Sequence, residues 1–281
     1  MQPTLRLLLL VFLAVCLLTG CGVKSAYNNA DWLVMRWIDD RVSLNAEQER
    51  AVEAALEREL AWHCASELPA YAEFLQEVRS DIAADRITTA TLENHGERAS
   101  DFGLRLLSRV RPTLIDLLAS LDDDQVDQLM ESFEERNREL AEEAERSDKE
   151  LQRERAKGME KGMRRFTGRL TSEQRDMLSD WAAKLEPTAE IALERRLAWQ
   201  AEFEQALSIR HDRQAFETAA MRLLDPAALQ SDAYRSRVQT HRERTLETLV
   251  DIHHSAPERQ IERAGKRLTG LAEDLKQIGC G

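Results

Sequence analysis

Three groups of side chains in this 281-residue chain could do chemistry. The thiols are Cys16, Cys21, Cys64 and Cys280. Trp62-His63 is followed by Glu67, which places an imidazole and a carboxylate four residues apart on one helical face. A hydrogen bond beside Pro69 is the plainer reading of that spacing, and a functional cluster of Trp62, His63 and Glu67 is the sharper one. His253-His254 precedes Glu258. Adjacent helical residues point to different sides, so both imidazoles would reach one metal only at a bent helix end. Solvated histidines near a helix C-terminus, where the dipole favours imidazolium, explain them more simply. None of the six histidines has metal-ligand spacing, and the chain holds no Walker loop, GxSxG, GxGxxG or HExxH. No catalytic residue, metal site or cofactor is therefore expected. An enzyme or metal protein built on His63 or His253-His254 is kept as a further alternative.

Cys21 has the most informative surroundings. An apolar run from Leu7 to Leu18 follows a start containing Arg6 and ends in Leu18-Thr19-Gly20-Cys21. The run is too short for a comfortable membrane span, which takes about 20 residues, and its order fits a signal peptide. The final four residues resemble the lipobox of bacterial lipoproteins, in which the cysteine is lipidated and becomes the new N-terminus. That resemblance implies a signal peptide over 1–20, a lipidated tether over 21–30 and a membrane held through acyl chains on Cys21. Gly22, rather than Asp, follows the cysteine, and by resemblance to lipoprotein sorting this favours the periplasmic side of the outer membrane over the inner membrane.

With Cys16 removed and Cys21 lipidated, Cys64 and Cys280 remain, an even pair in an oxidising compartment. A disulfide between them is expected to tie an early helix to the last one. Two free thiols are the alternative.

The net charge is −12, and loss of Arg6 with the leader makes it −13. Such a body is ill suited to nucleic acid, which calls for basic patches. Charged residues make up 32% and aromatics 5%, with few glycines and prolines and no long period-two β-branched run, so the chain is expected to be all-α. The expected architecture is a single multi-helix bundle over 31–281 with long amphipathic helices.

Helix starts are signalled by capping boxes at Asn45/Gln48, Asp122/Gln125 and Thr171/Gln174. Pro69 should break or restart a helix, and Pro112 should kink the segment Thr88–Leu121. Trp32 and Trp37 are expected to pack into the bundle rather than sit at a membrane surface, because Asp31, Asp39 and Asp40 surround them. Between Glu134 and Arg165, 20 of 32 residues are charged. A helix continuous from Asp122 through this stretch would run about 66 Å at 1.5 Å per residue, so an extended, partly protruding charged helix is expected around 134–165.

Two echoes recur. ALERELAWH at 55–63 resembles ALERRLAWQ at 192–200, and Leu-x-x-x-Gln recurs from Leu44, Leu121 and Leu170. Shared helix vocabulary accounts for them better than duplication.

Tyr27-Asn28-Asn29-Ala30-Asp31-Trp32, Arg36-Trp37-Ile38-Asp39-Asp40, Trp62-His63 and Glu67-Leu68-Pro69-x-Tyr71 together resemble an uncharacterised family of Gram-negative lipoproteins, a domain of unknown function. The resemblance implies an all-helical, lipid-anchored envelope protein and no activity. Leu170-Thr171-Ser172-Glu173-Gln174 also resembles the Leu-Thr-x-x-Gln motif of small periplasmic chaperones. The expected function is a non-catalytic binding or structural module that holds an envelope protein partner, with a chaperone-like holdase as the alternative. The sequence leaves the oligomeric state open.

Overall fold

The computed structural model describes residues 20–225 and 230–280. The expected leader, apart from Gly20, lies outside these residues, as does Pro226. The fold is an all-α multi-helix bundle, and no strand occurs among the described residues. The helices are α1 (Gly20–Tyr27), α2 (Ala30–Asp39), α3 (Ala46–Trp62), α4 (Leu68–Ala83), α5 (Thr89–Ala119), α6 (Asp123–Ala144), α7 (Asp148–Thr167), α8 (Ser172–Lys184), α9 (Ala189–Ser208), α10 (Arg213–Leu223), α11 (Asp232–His254) and α12 (Glu258–Lys276).

Local sequence sets most of the helix starts. Asn45, Asp122 and Thr171 cap α3, α6 and α8, each in a closed capping box with the glutamine three residues on. A fourth box, Ser147 with Glu150, starts α7. It divides the charged stretch 134–165, which is therefore not one long helix. The chain turns at residues 145–147, α6 lies along α9, and α7 lies along α8. The turn lets each half bury a thin stripe, Asn137 and Leu140 on α6 and Leu151 on α7, while the charged faces stay in water. A continuous rod would have left one of those stripes uncovered.

A helix restarts at Pro69. The run His63–Glu67 forms a π-helical turn, and α4 follows it with Pro69 in its first turn. Proline offers no N–H, so it is tolerated at a helix start, and the wider turn takes up the mismatch. Pro112 sits inside the single helix α5.

Among the described residues four apolar clusters hold the bundle, one of them joining Trp181, Ala182 and Leu185. The largest joins Ile38, Val52, Ile115, Leu118, Leu129, Phe203, Leu207 and Phe216 from α2, α3, α5, α6, α9 and α10. The second joins Val23, Leu68, Ala72, Leu271, Leu275 and Ile278 from α1, α4 and α12 with its flank. The third joins Leu170, Leu178 and Ile252. Each buried Leu or Phe removed from water contributes roughly 1.5–3 kcal/mol.

The antiparallel pair α4/α12 organises the second cluster. One end of the pair is closed by the Cys64–Cys280 disulfide, with S–S 2.00 Å and Cα–Cα 5.5 Å. At the other end His253 Nε2 lies 2.9 Å from Asp85 Oδ1. Asp85 takes φ 53° in the turn after α4, a left-handed conformation that Asp adopts more readily than most residues.

The first turns after the expected leader are helical and ordered. Helix α1 docks on α12, where Val23 is 1% exposed and Lys24 Nζ donates to Gln277 Oε1 at 3.2 Å. Val23 is drawn in because Cys64, Leu271 and Leu275 offer it an apolar seat. One expectation is corrected: Trp32 and Trp37 do not pack into the core. Helix α2 turns Val34, Met35 and Ile38 inward, and its 3.6-residue period leaves Trp32 58% and Trp37 36% exposed. Arg36 lies over the Trp32 ring and Arg41 over the Trp37 ring, at 5.9 and 4.0 Å.

Candidate functional site

The π turn brings His63, Cys64 and Glu67 into the interior together. His63 is 2% exposed. Its Nδ1 lies 3.2 Å from the Tyr27 hydroxyl, whose proton goes to the Leu60 carbonyl at 3.2 Å. The His63 ring stacks on Tyr27 and meets Tyr71 edge-on at 5.5 Å. Burial pushes its pKa down to about 4, against the opposing pull of Glu67, so the ring is neutral at physiological pH. Glu67 is 4% exposed and receives Arg105 through Nε at 3.2 Å and Nη2 at 2.8 Å. That bond holds the Arg105 guanidinium above its ordinary range. Trp62 lies at the rim, its ring 6.3 Å from His63.

Trp62, His63 and Glu67 are thus neighbours, but the carboxylate is committed to Arg105. The arrangement locks α1 to the α3–α4 junction through Tyr27. It does not present a nucleophile with a poised base.

The remaining histidine candidate is also engaged in structure. His253 joins Asp85, and the His253 and His254 rings diverge at 57° with centroids 5.7 Å apart. Among the described residues, no group of three or more His, Cys, Asp or Glu is placed to hold a metal ion. His95, which the sequence did not single out, bonds Asp81 at 2.9 Å. Asp81 is held below the usual carboxylate range by its hydrogen bond from Arg86 first and by His95.

A second locus was not anticipated from the sequence. An open cleft of about 660 Å³ lies between the start of α8 and the first turns of α12. Arg169, Arg175, Arg259 and Arg263 line it, together with Gly168, Thr171 and Ser172. Among the described residues none of the four arginines has a carboxylate within 4 Å, although many other arginines of this acidic chain do, Arg86, Arg105 and Arg146 among them. Arg175 is fixed by donating from Nη1 to the Leu170 carbonyl at 2.8 Å. Gly168 has φ +78°, and a Cβ built on it would meet the Arg263 side chain at 3.1–3.3 Å. Only glycine suits that backbone and leaves room for the arginine.

Beneath the cleft, Gln260 donates from Nε2 to the Arg169 carbonyl at 2.9 Å and forms a reciprocal amide pair with Gln174, at 2.8 and 3.0 Å. The arginines are scattered over 95 residues of chain, so nothing in their spacing announces the cluster. The one local cue was Gln260, three residues after Pro257, the same offset as in the other capped helices.

The described residues form an all-helical fold. A family model matches residues 40–235, and the chain belongs to that family, DUF6279, a family of unknown function. No curated protein and no solved structure matches the chain.

Proposed function

We propose that this chain is a lipid-anchored protein of the cell envelope, facing the periplasm from the outer membrane, and that it works as a non-catalytic binding or structural module for an envelope partner. The observation that carries this reading is the seating of the anchor end. Val23 is sealed against α12 two residues after Cys21, next to the Cys64–Cys280 bond. A body fixed so close to the lipid-bearing residue suits an anchor that must orient what it carries, and a disulfide suits an oxidising compartment.

The exposed Trp32 and Trp37 stand 11 and 16 residues downstream of Cys21, each covered by an arginine. Amphipathic rings of this kind favour the bilayer interface. Among the described residues no helix is long and apolar enough to cross a membrane. The glutamines of the Leu-x-x-x-Gln motifs are buried in amide pairs, and this use favours a structural role for the motif over a client-binding one.

Fractionation of cells producing wild-type or Cys21→Ser protein tests the proposal. Wild type should sediment with outer membrane and resist salt extraction, and the variant should be released. Equal membrane retention of both would overturn it.

A further inference from the structure

We propose that the four-arginine cleft between α8 and α12 binds the phosphoryl group of a small phosphate ester. This deepens the binding-module reading by naming a ligand class. It rests on the cleft itself and not on the lipid.

Arg169 and Arg175 flank the start of α8, and Arg259 and Arg263 lie on the first turns of α12. Arginines that line one cleft from two chain segments suit a tetrahedral dianion, since a guanidinium can donate parallel N–H bonds to phosphoryl oxygens. The start of α8 adds the positive end of a helix dipole and the hydroxyls of Thr171 and Ser172 at the lining.

A merely solvated basic face would look different. In a chain of net charge −12, clustered arginines would be expected to draw carboxylates, and acidic residues are close at hand: Glu173 and Glu258 in the first turns of the same two helices, and Glu262 beside Arg263. None of them lies within 4 Å of the four guanidinium groups, and Glu262 turns to Lys266 at 3.8 Å instead. The arginines are also positioned rather than loose, Arg175 by the Leu170 carbonyl and Arg263 by its packing against Gly168.

The volume, about 660 Å³, exceeds what a bare phosphate ion needs and falls in the range of small-ligand sites. The cleft lies at the end of α12 remote from α1 and the disulfide. From Arg263 to Lys276 the helix runs about 20 Å at 1.5 Å per residue. That separation favours a soluble ester over a headgroup of the membrane that the lipid would occupy.

The test uses the full chain in detergent, titrated calorimetrically with glycerol 3-phosphate and with inorganic phosphate. Vesicles containing phosphatidic acid, with phosphatidylcholine vesicles as control, form the second arm. The variants are Arg169→Gln/Arg263→Gln, both exposed positions, and Gly168→Ala. The expected result is saturable binding of glycerol 3-phosphate that weakens with salt, falls at least tenfold in the double variant and falls several-fold in Gly168→Ala while the melting temperature of the double variant stays put. Binding to phosphatidic acid vesicles alone, lost in the double variant, would keep the phosphoryl site and assign it a lipid source. No binding in either arm, or equal binding by wild type and double variant, would overturn the proposal. Because the assay does not depend on acylation, its failure is distinguishable from failure of the fractionation test.

Discussion

Gln174 and Gln260, 86 residues apart, bind each other through two amide hydrogen bonds of 2.8 and 3.0 Å in a site sealed from solvent. Gln48 and Gln125, 77 residues apart, repeat the arrangement at 2.9 and 2.7 Å. In both pairs the glutamine that closes a capping box also reaches across to another helix start. One residue type thus serves helix initiation and tertiary registration together, and two such clasps occur among the described residues.

Truncating one partner leaves a buried amide unsatisfied, which costs about 1–3 kcal/mol. Gln174→Leu is therefore expected to destabilise the chain by about that amount in urea titration. The double variant Gln174→Leu/Gln260→Leu should cost clearly less than the sum of the two single variants. Strict additivity would mean that the two amides do not act as a pair.

The Cys64–Cys280 bond closes a loop of 216 residues around most of the fold. Loop-closure entropy for so long a segment, together with the usual range for native disulfides, puts its contribution at about 2–5 kcal/mol. Thermal melts with and without reductant should differ accordingly, and Cys64→Ser should match the reduced wild type. Identical melts would show that the α4/α12 pair holds without its staple.

His63 makes stability depend on pH. Its folded pKa, about 4, lies below the ordinary histidine value, which is about 6.5 in an unfolded chain. Between those values the unfolded chain binds more protons, so stability rises with pH across the window and is lost as pH falls from 6.5 to 4. The full effect is roughly 3 kcal/mol. Asp81, held low by Arg86, acts below this window, where ordinary carboxylates protonate. Denaturant midpoints measured from pH 7 to pH 4.5 should fall for wild type and fall less for His63→Gln, in which His241, also held low by burial, keeps a residual slope. A His63→Gln variant with the wild-type slope would assign the effect to other groups.

Trp32 and Trp37 offer a contrast. Both are exposed, so Trp32→Ser/Trp37→Ser should leave the melting temperature close to wild type, surface changes usually costing within about 0.5 kcal/mol. The same variant in its unacylated Cys21→Ser form should bind vesicles more weakly than Cys21→Ser alone. Equal vesicle binding would remove the tryptophans from the membrane account.

The helices were legible because their signals are local. Asn45, Asp122 and Thr171 announce α3, α6 and α8, and the stripe through Ala264, Leu268, Leu271 and Leu275 announces α12. Ser147 with Glu150 carried the same signal and marks where the charged stretch turns, but the run of charges around it reads as one solvated helix. What no local pattern carries is which face meets which helix. The exposed side of Trp32 was fixed by Ile38 finding the core, and the docking of α1 by Val23 finding α12. The echo at 55–63 and 192–200 shows the same limit. Trp199 stacks on Phe203 at 4.8 Å inside the largest cluster, whereas Trp62 sits at a rim. Similar words took up unlike places. The arginine cleft is the furthest case, assembled from segments that meet through the Gln174–Gln260 pair and the Leu170, Leu178 and Ile252 cluster.

Under the proposed function, Cys21 bears the lipid by which this body is held. Mass spectrometry of the N-terminal peptide from the membrane-purified protein tests it most directly. The account predicts a peptide beginning at Cys21 and carrying the mass of acyl chains. A peptide that retains residues before Cys21, or that begins elsewhere with an unmodified thiol, would contradict it.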